Sequence, residues 1–268
     1  MANYPLNGYT IAQGRKIDFI RFGSGKRHLL ILPGLGDGLK TVRGTAIPMA
    51  LLYRKFSRTH TVWSFSRGEP LPEGFTTRDM AGELAAAMEN LGIEKADVLG
   101  VSMGGMIAQH LAADYPEKVG RLVLAVTCPC ADDTVRQSVT HWMELAGKGD
   151  FVSFLNSNLE RIYSESYCRK NGWTTPLVAL ITKPKSWDRF LVQANACLTH
   201  DATERLCTIT APTLVIGGKK DRVVNVGSSR CLAEKIPGAK LHIYLQWGHG
   251  LYEEAPDFNK RVLDFLLE

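Results

Sequence analysis

No apolar run in this chain approaches the roughly 20 residues that a membrane-spanning helix needs. The start, Met1-Ala2-Asn3-Tyr4-Pro5, lacks both the basic opening and the apolar core of a secretory leader. The expectation is therefore a cytoplasmic protein with no membrane span. Charge of one sign never accumulates. The net charge is +5, and the tightest basic clusters are Arg15-Lys16 and Lys219-Lys220. These are too short for a nucleic-acid tract, so no nucleic-acid partner is expected. Cysteine is sparse and unframed. Six are scattered along the chain, which reads as reduced thiols rather than a disulfide scaffold. Cys128-Pro129-Cys130 is the one close pair, and no further ligands follow at metal-site spacing, so no metal is expected. Internal repeats and low-complexity segments are also missing.

What remains is 268 residues with 45% hydrophobic and 22% charged content, enough for one large α/β domain with an insertion. Tyr9 to Phe22 alternates as an edge hairpin, and Gly23-Ser24-Gly25-Lys26 is a turn. His28 to Leu32 reads as a buried strand. A helix is expected from Thr41 to Phe56, weakened by Gly44 and Pro48, then a strand from Thr61 to Phe65. Thr76 or Thr77 caps a helix that runs to Leu91 and stops at Gly92. Asp97 to Val101 is the next strand, Ser102 to Asp114 a helix, and Val119 to Val126 a further strand. This alternation predicts β-α-β units and a mostly parallel sheet.

From Cys128 to Leu206 the rhythm stops. Helical patterns take over, carrying Trp142, Phe151, Phe154, Leu155, Trp173, Trp187 and Phe190. The expected division is a core of residues 1–127 and 207–268 and a helical cap of residues 128–206. Most of these aromatics are expected to form the cap's own core, with one or two lining an apolar cleft. The alternation resumes with a strand at Thr213–Gly217, a helix at Gly227–Lys235, a strand at Lys240–Leu245 and a closing amphipathic helix after Pro256.

Within this frame Gly100-Val101-Ser102-Met103-Gly104 has the form of a nucleophile elbow. A sharp strand-to-helix turn strains the serine backbone and leaves no space for side chains two residues before and after it. In a chain of this composition the pattern is expected by chance roughly 0.1 times. The loop Pro33-Gly34-Leu35-Gly36-Asp37-Gly38 is glycine-rich, but its spacing fits neither a dinucleotide fingerprint nor a P-loop, so no cofactor is expected. After a buried strand, such a loop can instead aim N–H groups at an oxyanion. Asp37 reads as a turn former.

Ser102, Asp221 and His249 each follow an expected strand, which puts all three at the carboxyl edge of a parallel sheet. A serine hydroxyl needs a base, and a histidine needs an orienting carboxylate, so the three make a plausible triad. Rivals for the acid are Asp132 and Asp133, after the Val119–Val126 strand, and Asp201, read as a surface residue or helix cap. Rivals for the base are weaker. His242 lies within a strand, His110 sits on the helix after the elbow, and His28, His60, His141 and His200 have no evident partner.

Gly100-Val101-Ser102-Met103-Gly104-Gly105, the run from Gly217 to Val224 and Trp247-Gly248-His249 together resemble the α/β-hydrolase superfamily over nearly the whole chain. The similarity is to small capped hydrolases: carboxylesterases, acyl-carrier-protein methyl esterases and carbon–carbon bond hydrolases. It implies an oxyanion hole formed by the N–H groups of Leu35 and Met103. Where that family often has His-Gly after the early strand, this chain has Pro33-Gly34. The expected activity is hydrolysis of a small-molecule ester or thioester with an apolar acyl group. Acyl transfer, carbon–carbon cleavage, elimination and slow-turnover ligand sensing stay open, because a fold does not fix a chemistry.

Overall fold

The computed structural model describes residues 4–268; Met1 to Asn3, on which part of the reading of the chain start rests, lie outside them. Among the described residues are eight strands in one sheet: β1 Leu6–Ala12, β2 Arg15–Phe22, β3 Arg27–Leu32, β4 His60–Phe65, β5 Ala96–Val101, β6 Val119–Ala125, β7 Thr213–Gly218 and β8 Lys240–Tyr244. Their spatial order is β1-β2-β4-β3-β5-β6-β7-β8. The hairpin β1–β2 is antiparallel and joins β4 antiparallel, while β4, β3, β5, β6, β7 and β8 run parallel.

Helices occupy the connections: α1 Ala46–Leu52, α2 Thr77–Asn90, α3 Met103–Asp114, then five between β6 and β7, and finally α9 Val226–Lys235, α10 Leu251–Glu254 and α11 Phe258–Leu267. The five are α4 Asp133–Gly147, α5 Phe151–Ile162, α6 Glu165–Asn171, α7 Thr175–Thr182 and α8 Asp188–Leu198. Helix starts follow their chemistry. Thr76 and Asp79 form a reciprocal capping box on α2, and Asp132 accepts the Val135 N–H at the start of α4. α1 is shorter than the sequence suggests. Gly44 turns in the left-handed region (φ +88°), so the helix starts only after it. Pro48 is tolerated because it falls in the first turn, where N–H groups lack intrahelical partners. The four-residue α10 has no counterpart in the sequence reading.

Strand alternation sends neighbouring side chains to opposite faces. Leu30, Leu32, Val98, Leu122 and Leu124 pack with α2 and α3 through Met80, Leu84, Met88 and Leu111. Leu29, Ile31, Leu99 and Val123 pack with α11 through Phe258, Val262 and Phe265. Each such fully buried aliphatic side chain contributes about 1.5–3 kcal/mol. Val135, Trp142, Phe151, Phe154 and Phe190 from the five inserted helices belong to the same continuous core as α2 and α3. The inserted segment is also tied at its neck by a bridge between Cys130 and Asp201. The central strands β5, β6 and β7 end side by side, and the loops that leave them share one edge of the sheet.

Candidate active site

The chain leaves β5 at Ser102, whose backbone lies at φ +53°, ψ −121°. This is a strained conformation for a residue with a side chain. Three glycines allow it. A Cβ on Gly104 would sit 2.0 Å from the Leu32 carbonyl oxygen, and one on Gly100 would sit 2.6 Å from Gly105 Cα. One on Gly105 would meet Thr127 at 2.6 Å. Backbone bonds from Ser102 N–H to Ala125 O (2.9 Å) and from Gly105 N–H to Ser102 O (2.8 Å) hold the turn. The serine therefore stands at the N-terminus of α3, where free N–H groups favour negative charge.

His249 lies in the loop after β8, and Asp221 in the loop after β7. His249 Nε2 is 3.0 Å from Ser102 Oγ, and His249 Nδ1 is 2.8 Å from Asp221 Oδ2. An ionised carboxylate only accepts, so Nδ1–H donates to Asp221 and Nε2 is left to accept the serine proton. The other Asp221 oxygen accepts the N–H groups of Val223 and Val224, both at 2.8 Å. With its carboxylate only 1% exposed, Asp221 is locked in place. The loop after β8 is anchored by Gly250 N–H donating to Ile162 O at 2.7 Å.

The rival acids have other partners. Asp132 caps α4 with one oxygen and accepts Asn225 Nδ2 (2.6 Å) and Ser228 Oγ (2.9 Å) with the other. Asp133 and Asp201 are exposed, and Asp201 accepts the Thr203 N–H at 2.9 Å. The rival bases are likewise engaged or remote. His60 contacts Asp97 at 3.1 Å, and His28 accepts from Trp63 Nε1. His110 and His200 meet edge-to-face with ring centroids 5.2 Å apart, and Thr77 Oγ1 lies 2.9 Å from His200 Nδ1. Burial holds His110 down at about 4 and His200 at about 3, so both are neutral packing groups. His242 meets Tyr244 edge-to-face, and His141 lies on α4.

The loop after β3 comes up against the serine. A Cβ on Gly34 would be 3.3 Å from Ser102 Cβ and 3.8 Å from Oγ. Among the described residues, neither the Leu35 nor the Met103 N–H donates to a backbone carbonyl. Above them opens a cavity of about 400 Å³. Its floor includes Gly34, Leu35, Ser102 and His249, and its walls include Met49 and Leu52 of α1. The inserted helices supply Trp142 of α4, Phe154, Asn158 and Ile162 of α5, and Phe190 of α8. Trp173, by contrast, is 79% exposed. Among the lining residues the one Lys or Arg is the exposed Lys40.

The sequence reading missed Asp37. It is a turn residue, but its carboxylate is buried (side chain 0% exposed) and bonded to Arg189, Gln193 and the Arg67 N–H. Arg189 and Gln193 stand 152 and 156 positions away. Only the run of glycines around Asp37 hinted at a constrained loop.

A family model described as alpha/beta hydrolase fold matches residues 27–256. The chain is similar to a 2-hydroxy-6-oxononadienedioate/2-hydroxy-6-oxononatrienedioate hydrolase from Pseudomonas sp., 30% identical over 71% of this chain and 70% of that protein. A putative carbamate hydrolase from Caulobacter sp. (strain K31) is 28% identical over 73% of this chain and 74% of its own length. Among solved structures, an alpha/beta hydrolase enzyme from a Medee basin deep-sea metagenome library superposes with a TM-score of 0.85 at 23% identity, covering 97% of this chain and 98% of its own. The strained serine, its glycine surroundings and this extent of matching sequence lead to one conclusion: the chain belongs to the alpha/beta hydrolase fold family.

Proposed function

We propose that the protein is a serine hydrolase acting on an ester or thioester of a small, largely apolar acyl group. Ser102 Oγ attacks the carbonyl carbon as His249 Nε2 takes its proton. Asp221 fixes the tautomer and stabilises the imidazolium. The carbonyl oxygen, now negative, accepts the N–H groups of Leu35 and Met103. His249 then returns the proton to the leaving oxygen or sulfur, giving an acyl-enzyme. Water, deprotonated by His249, clears it. The observation that carries this reading is the continuous chain from Ser102 through His249 to Asp221, opening into an apolar cavity. In the same reading, residues 128–206 act as a cap over a core of residues 1–127 and 207–268, setting acyl size through Trp142, Phe154 and Phe190.

Carbon–carbon cleavage is the second reading, favoured by the similarity to the Pseudomonas dienedioate hydrolase. A dienedioate brings two carboxylates into the site. Here Arg67 and Arg189, the guanidiniums tied to the loop after β3, face Asp37. The lining lysine, Lys40, is exposed. An uncharged acyl group suits this cavity better than a dianion, since burying an unpaired charge is costly. A series of p-nitrophenyl esters of increasing acyl length, run beside 2-hydroxy-6-oxononadienedioate, tests the choice. The ester reading expects kcat/KM to peak at a short or medium chain and to exceed that for the dienedioate. A dienedioate kcat/KM about 100-fold above the best ester would establish the second reading instead.

A further inference from the structure

The loop that carries the Leu35 N–H closes on itself in one turn, with Asp37 N–H donating to Gly34 O at 3.2 Å and Leu39 N–H to Gly36 O at 3.0 Å, and it is tied to the rest of the molecule by Arg67 and by α8. Arg67 Nη2 donates to Pro33 O at 2.6 Å, and the Arg67 N–H donates to Asp37 Oδ2 at 3.2 Å. From α8, Arg189 Nη2 donates to the same carboxylate oxygen, and Gln193 Nε2 adds a bond at 3.2 Å. Arg189 Nε donates to Asp37 O at 3.0 Å, while its Nη1 donates to Arg67 O at 3.0 Å. Arg189 and Gln193 are four residues apart and share one face of α8. That face fits the loop closely, since a Cβ on Gly38 would lie 2.8 Å from Phe190 Cα. The Asp37 and Gln193 side chains are fully buried, and that of Arg67 is 4% exposed. Removing α8 from this contact would leave Asp37 with Arg67 as its remaining charged partner and take away the Arg189 bond to the Asp37 carbonyl.

We propose that Asp37, Arg67 and Arg189 are positioning residues that make the oxyanion hole depend on the docking of α8. The inference rests on the hydrolase reading above and adds a coupling to it. A helix of the inserted segment, whose Phe190 also lines the cavity, fixes the donor N–H of Leu35 against Ser102. Correct seating of α8 over the cavity and assembly of the oxyanion hole are then one event. The planar fork of Arg189 reaches the Asp37 carboxylate, the Asp37 carbonyl and the Arg67 carbonyl together, which a lysine cannot do.

The test uses the full chain with Arg189→Gln, Arg189→Lys and a control, Arg27→Gln. Arg27 pairs with the buried Asp97 at 2.8 Å, so the control removes an ion pair of a buried carboxylate elsewhere. Two readouts are taken: amide hydrogen exchange of residues 34–39, and kcat and KM per titrated active site. For Arg189→Gln, exchange in 34–39 is expected to quicken about 10-fold or more. Its kcat should fall about 100-fold, the scale of an ångström-sized misplacement, with KM within about two-fold. Arg189→Lys should be intermediate in both, and it carries the test if Arg189→Gln does not fold. Arg27→Gln should change neither. Unchanged exchange and kcat in the Arg189 variants, or equal changes in Arg27→Gln, would overturn the proposal. If the wild-type protein cleaves none of the substrates above, the hydrolase reading fails on its own, and the exchange readout still decides whether α8 holds the loop.

Discussion

The turn at Ser102 and the five helices inserted between β6 and β7 are built by opposite rules. At the turn, close backbone approaches dictate the residues, because a single Cβ at Gly104 would collide with Leu32 O at 2.0 Å. α3 behind it is buried along almost its whole length. In the inserted helices, side-chain packing does the work. Phe151, Phe154, Trp187 and Phe190 interlock with ring centroids 5.1 to 6.1 Å apart. Aromatic pairs in this range tolerate many arrangements. α7 leaves Leu177 and Leu180 62% and 81% exposed. The comparison teaches that, on the proposed function, chemistry and selectivity fall in regions with different tolerance. The strand-to-helix turn admits almost no change; the helical segment tolerates repacking of its aromatic surfaces, except on the face of α8 that bonds the loop after β3.

The largest effect should come from the rigid region. Ser102→Ala is expected to lower kcat by about 10⁴–10⁶ with the fold intact by circular dichroism, the loss seen when a triad nucleophile is removed. A variant that keeps a tenth of the activity would take Ser102 out of the mechanism and erase the contrast. Next is Asp221→Asn. The amide can present an N–H to His249 Nδ1 and favour the wrong tautomer, so kcat should drop by about 10⁴ with little change in KM. Asp132→Asn should cost far less kcat, since Asp132 bonds Asn225, Ser228 and the start of α4 rather than His249. The opposite ranking in steady-state kinetics would move the acid to the loop after β6.

The tolerant region should answer differently. Phe154→Ala removes a fully buried ring from the cavity wall and should cost about 3–5 kcal/mol of stability. Its kinetic signature should be a shift of the acyl-length optimum toward longer chains, with kcat on the best chain changed less than about 10-fold. A kcat loss as large as that of Asp221→Asn would show that the helices share in the chemistry.

The smallest effect lies at the seam between the two regions, where His110 of α3 meets His200 at the end of the inserted segment. Burial lowers both, to about 4 and about 3, below the ordinary histidine value. Unfolded chains therefore bind more protons in that window. The stability these groups contribute is complete above about pH 6.5 and is lost progressively as pH falls toward 4. The urea midpoint should decline across this range. In His110→Gln the slope should be shallower by up to about one proton. An unchanged slope would place the acid sensitivity elsewhere.

Much of the rigid region was legible in the sequence, because its constraints are short-range. Gly100, Ser102 and Gly104 are spaced by the turn itself, and Asp221 and His249 each follow a strand whose apolar run can be read directly. The same reading placed α2 between a cap at Thr76 or Thr77 and a stop at Gly92, since the cap and the stop are local signals. Long-range satisfaction of polar groups is not written locally. Nothing near Asp37 announces Arg189, and nothing near His200 announces Thr77. The split of residues 128–206 into five helices, and the choice of Trp142, Phe154 and Phe190 over Trp173 for the cavity, depend on how aromatic surfaces pack in three dimensions. The helix expected from Thr41 to Phe56 is present only as Ala46–Leu52, and its late start has a local reason that was visible in part: Gly44 carries a left-handed turn, and the helix begins beyond it.

The most direct test of the account is to identify the covalent adduct. Wild-type protein, treated with a fluorophosphonate and read by intact mass and peptide mapping, should gain one adduct per chain, on Ser102. Rapid quenching during turnover of a short p-nitrophenyl ester should trap the acyl group on the same residue. Both should vanish in Ser102→Ala and form at least about 10³-fold more slowly in His249→Ala. An adduct on another residue, or undiminished labelling of Ser102→Ala, would contradict the assignment of Ser102 as the nucleophile.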